Sequence, residues 1–275
     1  MSTSEKSRRS PFVSRAQTRI WQEQSCPDNP WLTESARLHG YALDELITRC
    51  DYPSMLYLML KGELPDPPRR TLMQRLLVGF CSPGPRHPAI RAVMNAAASG
   101  TKPPALLPIG LSLMSGDTLG SDEVEQATRF ITRQLRNDPR DVASALLAEH
   151  DGIDAATGDV RIAPGFGTHY GAVDPYPVYL AHALIDPNNP PPPFDWMLSL
   201  HDALVPDGFG CLTPAVFACG CIELGLPPRT ASLLYQLAAA PGIAAHAVEK
   251  AGKGPTAMPF IDDSDYDMLP TEDAT

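Results

Sequence analysis

Aromatic residues are scarce, at 7% of 275 positions, and runs of Val, Ile and Thr are short. With Ala and Leu abundant, that balance argues against an extensive sheet and for helices. No apolar run approaches the roughly 20 residues a membrane-spanning helix needs, which argues against a transmembrane segment. Positive charge is also in deficit. Against 32 acidic residues stand 22 Lys and Arg, a formal net charge of -10. Such a surface repels nucleic acid and anionic membranes. Paired cysteine spacing of the C-x-x-C kind is missing too. Cys26, Cys50, Cys81, Cys211, Cys219 and Cys221 are read as reduced core thiols with no metal role, which fits a cytoplasmic protein. The opening MSTSEKSRRSPFVSRAQ has no apolar h-region, so it is no secretory signal, and a disordered arm over 1–17 is favoured over a transit peptide.

What is present is helical punctuation. TRIWQEQSCPDNPW is rich in turn formers and reads as an irregular opening segment. In the next stretch Pro53 starts a helix, Gly62 caps it and Pro65 prevents its continuation. TLMQRLLVGF is a short amphipathic helix. Residues 88–114 form an apolar helix that Pro103, Pro104 and Pro108 must break or kink. Ser121 is placed as the cap of a helix with Val124, Ala127, Ile131 and Leu135 on one face, and Asp141 as the cap of the next. HALIDPNNPPPPFDW is a break of polyproline character. Helical patterning resumes over 195–204, 212–225 and 229–250, and 263–275 is an acidic tail. APGFGTHYGAVDPYP, within a Gly-, Asp- and Pro-rich stretch over 151–180, is the best candidate for a functional loop.

Three segments, in this order, resemble the citrate synthase and citryl-CoA lyase superfamily, especially its short lyase-like branch. They are a Gly40-Tyr41 helix start followed by GELP at 62–65, PGFG at 164–167 with Asp174-Pro175, and PGIAAHAVEKAGKGP near the end. The resemblance covers roughly 18–260. It implies an all-α fold with a large helical domain (18–155 and 241–262), a small helical domain (156–240), an active site in the cleft between them and a homodimer. It also implies a CoA thioester as substrate, with no metal. In such enzymes a carboxylate takes a proton from the carbon beside the thioester while a histidine stabilises the enolate oxygen, and lyases run the step backwards.

Carried over residue by residue, the resemblance is partial. The turn where citrate synthases place the enol-stabilising histidine reads SGDTLG here, with Thr118 as a substitute donor. After PGFG stands Thr168, with His169 one position late, and the arginine of D-P-R is replaced by Tyr176. These departures weaken the case for a carboxylated acceptor. The base is Asp207 in one alignment, whereas another puts Pro214 in that slot, and Asp207 also suits a helix N-cap. His87, beside Arg86 and ahead of an apolar helix, resembles a substrate-binding histidine, with a surface turn as the plainer alternative. Gly165, Phe166, Gly167 and Lys253 are the candidate cofactor contacts, Lys253 equally explained as a solvated turn. His246 is read as a packing histidine; His39, His150, His182 and His201 are assigned no role. The readings left standing are a CoA-thioester carbon–carbon lyase or synthase with an altered acceptor pocket, a homologue that lost the chemistry and serves as a structural or regulatory subunit, and an enzyme repurposed within the same cleft.

Overall fold

A computed structural model describes residues 15–155 and 158–269. The expected arm lies outside the described residues up to position 14, as do the last six positions of the acidic tail; from 263 to 269 that tail is exposed, with one 3-10 turn at Asp263–Asp265. The described residues form eleven helices and two three-stranded sheets, so the helical expectation holds while the sheets are additions to it. The chain divides into two compact units, the first ending at Asp66 and the second beginning at Pro67.

In the first unit the stretch expected to be irregular is a β-hairpin. β1 (Trp21–Cys26) pairs antiparallel with β2 (Asn29–Leu38) around Pro27-Asp28. Up to Leu38 its residues are almost all solvated, Trp21, Trp31 and Leu32 among them, so the chain shows none of the apolar alternation that betrays a half-buried strand. His39 and Gly40, both at positive φ, then turn β2 into β3 (Tyr41–Ala42), as a two-residue type I′ loop demands. α1 (Leu43–Arg49) and α2 (Tyr52–Lys61) follow. Asp51 caps α2 by accepting from the Ser54 N–H at 2.9 Å, and Gly62 ends it in the left-handed conformation. Leu38, Leu46 and Leu58 bury together at the centre of this unit.

The second unit contains α3 (Pro67–Gly79), α4 (Pro88–Ala98), α5 (Pro103–Leu113), α6 (Ser121–Gln134), α7 (Pro139–Glu149), α8 (Tyr176–Leu184), α9 (Pro192–Leu204), α10 (Thr213–Glu223) and α11 (Pro228–Lys250). Prolines punctuate them as expected, opening α3, α4, α5, α7, α8, α9, α10 and α11 in the first turn, where a missing N–H costs nothing. The prolines of 190–193 do more than break the chain: Pro192 begins α9, and Pro193 and Phe194 are buried. Gly120, not Ser121, occupies the cap position of α6, and Asp138, not Asp141, caps α7 through the Arg140 N–H.

α10 is buried from Pro214 to Cys221 and packs against α6, α8, α9 and α11. It is apolar on every side because it touches protein on every side. α11, which also packs on α4, α5 and α6, is long and apolar enough by length and composition to cross a membrane, contrary to the expectation that no segment is. Its neighbours explain its composition as that of a core helix. Pro241 lies inside α11, and the next N–H, from Gly242, donates to the Cys81 carbonyl at 2.8 Å. A Cβ on Gly242 would come within 2.6 Å of Ser82, so only glycine fits there.

The second small sheet joins β4 (Arg161–Ala163), β5 (Phe166–Gly167) and β6 (Gly210–Cys211) in that order, all antiparallel. His201 on α9 anchors it by accepting from the Cys211 N–H at 3.1 Å. Of the six cysteines, Cys211, Cys219 and Cys221 are buried as expected, Cys26 and Cys50 half-buried and Cys81 exposed; all are free. Burial holds the His201 pKa below its ordinary value, with Asp202 pulling weakly the other way. The unfolded chain therefore binds a proton at a higher pH than the folded one, and stability must fall as pH drops below about 6.5. Melting temperature should decline between pH 7.5 and 5, with a shallower decline in His201→Gln, whose side-chain oxygen can still accept from Cys211. An unchanged slope in that variant would remove His201 as the cause.

Candidate active site

A cavity of about 340 Å³ opens in the second unit between the Phe80–His87 loop, the turn before α6, the start of α8, the head of α10 and the middle of α11. That lies at the small end of ligand pockets, roughly 300–1,000 Å³. It is large enough for a thioester carbonyl and a short acyl group but too small for a nucleotide. Phe80 and Tyr235 line it, and both pack edge-to-face on the buried Phe217 behind them, the three ring centroids lying 4.8 to 5.9 Å apart.

His87 is the N-cap of α4. Its Nδ1 accepts from the Ala89 N–H at 3.2 Å, so the neutral ring carries its proton on Nε2. That Nε2 is buried and has no hydrogen-bond partner; the Leu119 carbonyl faces the ring without reaching hydrogen-bond geometry. Burial lowers the His87 pKa, the Leu119 carbonyl acting against it, which keeps the ring neutral near pH 7. A neutral donor with an unmet hydrogen bond at a cavity wall is an incomplete arrangement, because a buried polar group without a partner costs about 1–3 kcal/mol.

His169 lines the same cavity. Its Nδ1 lies 3.3 Å from Asp159 Oδ1, close enough for electrostatic attraction though not aligned as a hydrogen bond. With Nδ1 turned to Asp159, Nε2 is the nitrogen left for a ligand. Asp174 is the one carboxylate among the described lining residues; its Oδ1 accepts from the N–H of Tyr176, the first residue of α8, at 2.9 Å.

The other expected site residues lie elsewhere. Asp207 is exposed at the end of a 3-10 turn, caps no α-helix and does not line the cavity; the head of α10 presents Thr213 there instead, with Pro214 buried behind. Thr168 is fully buried, donating its hydroxyl proton to the Gly158 carbonyl and accepting from the Val160 N–H, so it stitches a loop. Arg86 and Lys253 are exposed outside the cavity, and Thr118 lines a separate depression beside Asp117. Gly165, Phe166 and Gly167 are buried: a Cβ on Gly167 would lie 1.9 Å from the Val160 oxygen, one on Gly165 2.9 Å from Ala215 Cβ, and Phe166 packs against Phe130 and Trp196. The PGFG turn thus meets packing requirements and does not touch the cavity.

Sequence reasoning missed Leu119, Tyr235 and the residue that holds them together, Glu123. Leu119 sits at φ 55° on the cavity wall. Its N–H donates to Glu123 Oε2 at 2.6 Å, and its carbonyl accepts from the buried Tyr235 hydroxyl at 3.2 Å. The other Glu123 oxygen accepts from Arg161 Nε at 2.9 Å and from the Gly165 N–H at 3.2 Å. An acid in a helix first turn is so ordinary that no pattern singled it out.

No family model matches the sequence, and no curated protein matches it. Solved structures do. A citryl-CoA lyase from Hydrogenobacter thermophilus is similar over 93% of this chain and 95% of its own, with a TM-score of 0.74 at 19% identity. The chain has the citryl-CoA lyase fold. A Methanosaeta concilii ATP citrate lyase, solved with (3S)-citryl-CoA, matches over 95% of this chain and 43% of its own, with a TM-score of 0.71 at 14% identity. The Thermotoga maritima citrate synthase matches over 80% of this chain and 60% of its own, with a TM-score of 0.53 at 18% identity. The citryl-CoA lyase fold is shared at these identities by packing, and the side chains in the cavity are this chain's own.

Glu123→Gln keeps the size of the side chain but leaves Arg161 uncompensated. Breaking a buried pair from one side costs about 3 kcal/mol. The expected fall in melting temperature is roughly 6–12 °C, measured by calorimetry at low salt; a change under 2 °C would show the pair to be dispensable.

Proposed function

We propose that the protein makes or cleaves a carbon–carbon bond beside the carbonyl of a CoA thioester. The observation that carries this reading is His87 Nε2–H, a buried, unpartnered donor on a neutral ring at the wall of a small cavity. Negative charge developing on a thioester oxygen as its α-carbon becomes an enolate needs such a preorganised donor, and a neutral imidazole supplies one without itself losing a proton. His169, with Asp159 against its Nδ1, is the group placed to carry the proton. Asp207 is given no part in this scheme, because it stands exposed away from the cavity. Support from outside the site comes from the fold, shared with the citryl-CoA lyase and with the ATP citrate lyase solved with its citryl thioester. A homodimer acting on a small molecule in the cytoplasm completes the proposal.

A second reading has its own observation. At the head of α10, Thr213 and the buried Pro214 offer no carboxylate, which favours a homologue that kept the fold as a structural or regulatory subunit.

Calorimetric titration with CoA and acetyl-CoA separates the two. Binding is expected, and His87→Asn, which retains an N-cap acceptor for α4 but removes the Nε2 donor, should lower thioester cleavage or condensation about 100-fold without unfolding the protein. A folded protein that binds neither ligand sinks the thioester reading in favour of the subunit.

A further inference from the structure

The cavity also carries information about the group that meets the thioester. Its apolar wall is made by Phe80, Met114, Leu119, Leu180, Leu212 and Ala239. Its polar side chains are His87, His169, Thr213, Tyr235, Ser82 and Tyr176, together with the carboxylate of Asp174. Neither Lys nor Arg is among the described lining residues. Basic residues close to the lining in sequence are committed or exposed: Arg75 donates to the Leu184 carbonyl and Arg161 pairs with Glu123, while Arg86 and Arg91 face solvent. A carboxylate brought into such a space would lose water and find no countercharge, with a like charge already present.

We propose that this cavity takes a short, uncharged aliphatic carbonyl or hydroxyl compound and rejects di- and tricarboxylates, so that the substrate is a neutral 3-hydroxyacyl thioester or the pair of products derived from it. The proposal rests on the thioester reading above. The step balances without any further reagent. In R–CH(OH)–CH2–CO–S–CoA, His169 takes the hydroxyl proton as the bond between the α- and β-carbons breaks. The bonding pair passes to the thioester as an enolate, its oxygen held by His87 Nε2–H. The aldehyde R–CHO leaves, and the proton is returned to the α-carbon to give acetyl-CoA. The reverse direction is an aldol addition of acetyl-CoA to a neutral aldehyde. The apolar wall accommodates R, and burial keeps His87 uncharged, so it offers no permanent cation to an acid.

The test uses the full chain and two ligand sets. One is 3-hydroxybutyryl-CoA, 3-hydroxyhexanoyl-CoA and (3S)-citryl-CoA; the other is the same acyl groups on N-acetylcysteamine, which lacks the nucleotide. Dissociation constants come from calorimetry and cleavage rates from thiol-ester product release. The neutral esters are expected to be favoured at least tenfold in Kd or kcat/KM. Asp174→Asn, whose side-chain oxygen can still accept from the Tyr176 N–H, should move that ratio about fivefold towards the citryl ester, the effect of removing one like charge at ~4 Å in a water-like dielectric. Equal or better use of the citryl esters would overturn the substrate class while sustaining the thioester reading. Discrimination among the N-acetylcysteamine esters with no binding of any CoA ester would overturn CoA as the carrier while sustaining the substrate class. If no member of either set binds, both fall.

Discussion

A carboxylate taken out of water must find hydrogen bonds and countercharge, and Glu123, in the first turn of α6, finds three partners. Its two oxygens receive the Leu119 N–H, the Gly165 N–H and the Arg161 guanidinium, whose other arm reaches the Thr168 carbonyl. The PGFG turn, the first strand of the small sheet and the left-handed Leu119 are thereby fixed to a single side chain. Leu119 in turn receives the Tyr235 hydroxyl from α11, and it forms the cavity wall opposite His87. Much of the site's shape therefore follows from one buried ion pair lying outside it. Desolvation makes such a pair a weak source of net stability. Its hydrogen-bond directions make it a strong source of position.

The helices were legible because proline and glycine mark their ends by mechanisms that act within a few residues. Pro53, Pro103 and Gly62 behave as their backbone preferences require. The β1–β2 hairpin was not legible, because both of its faces are solvated and a strand without a buried face leaves no periodic trace. The caps of α6 and α7 were misplaced by one and three residues, since several short polar side chains compete there and only the backbone geometry chooses between them.

The site was legible in part. His87 stands out as a histidine between prolines at the head of an apolar helix, a local signal. Tyr235, Leu119 and Asp174 reach the cavity from distant stretches of chain, and only tertiary packing brings them there. The three motifs behind the resemblance prove to be packing devices: Gly62 ends α2, Gly165 and Gly167 leave no room for a Cβ, and Gly242 abuts Cys81 and Ser82. They therefore identify an architecture far better than a chemistry. In the same cavity, the positions that would decide the chemistry diverge from the motifs.

The donor that α11 extends from Gly242 to the Cys81 carbonyl has a mechanical meaning. A helix interior ordinarily satisfies its own backbone, but beside Pro241 this one holds the loop that ends in His87. Loop and helix then share one degree of freedom: displacing His87 pulls on the midpoint of a rod about 35 Å long. A ligand pressing on the His87 ring would be felt at both ends of α11, far beyond the residues it touches.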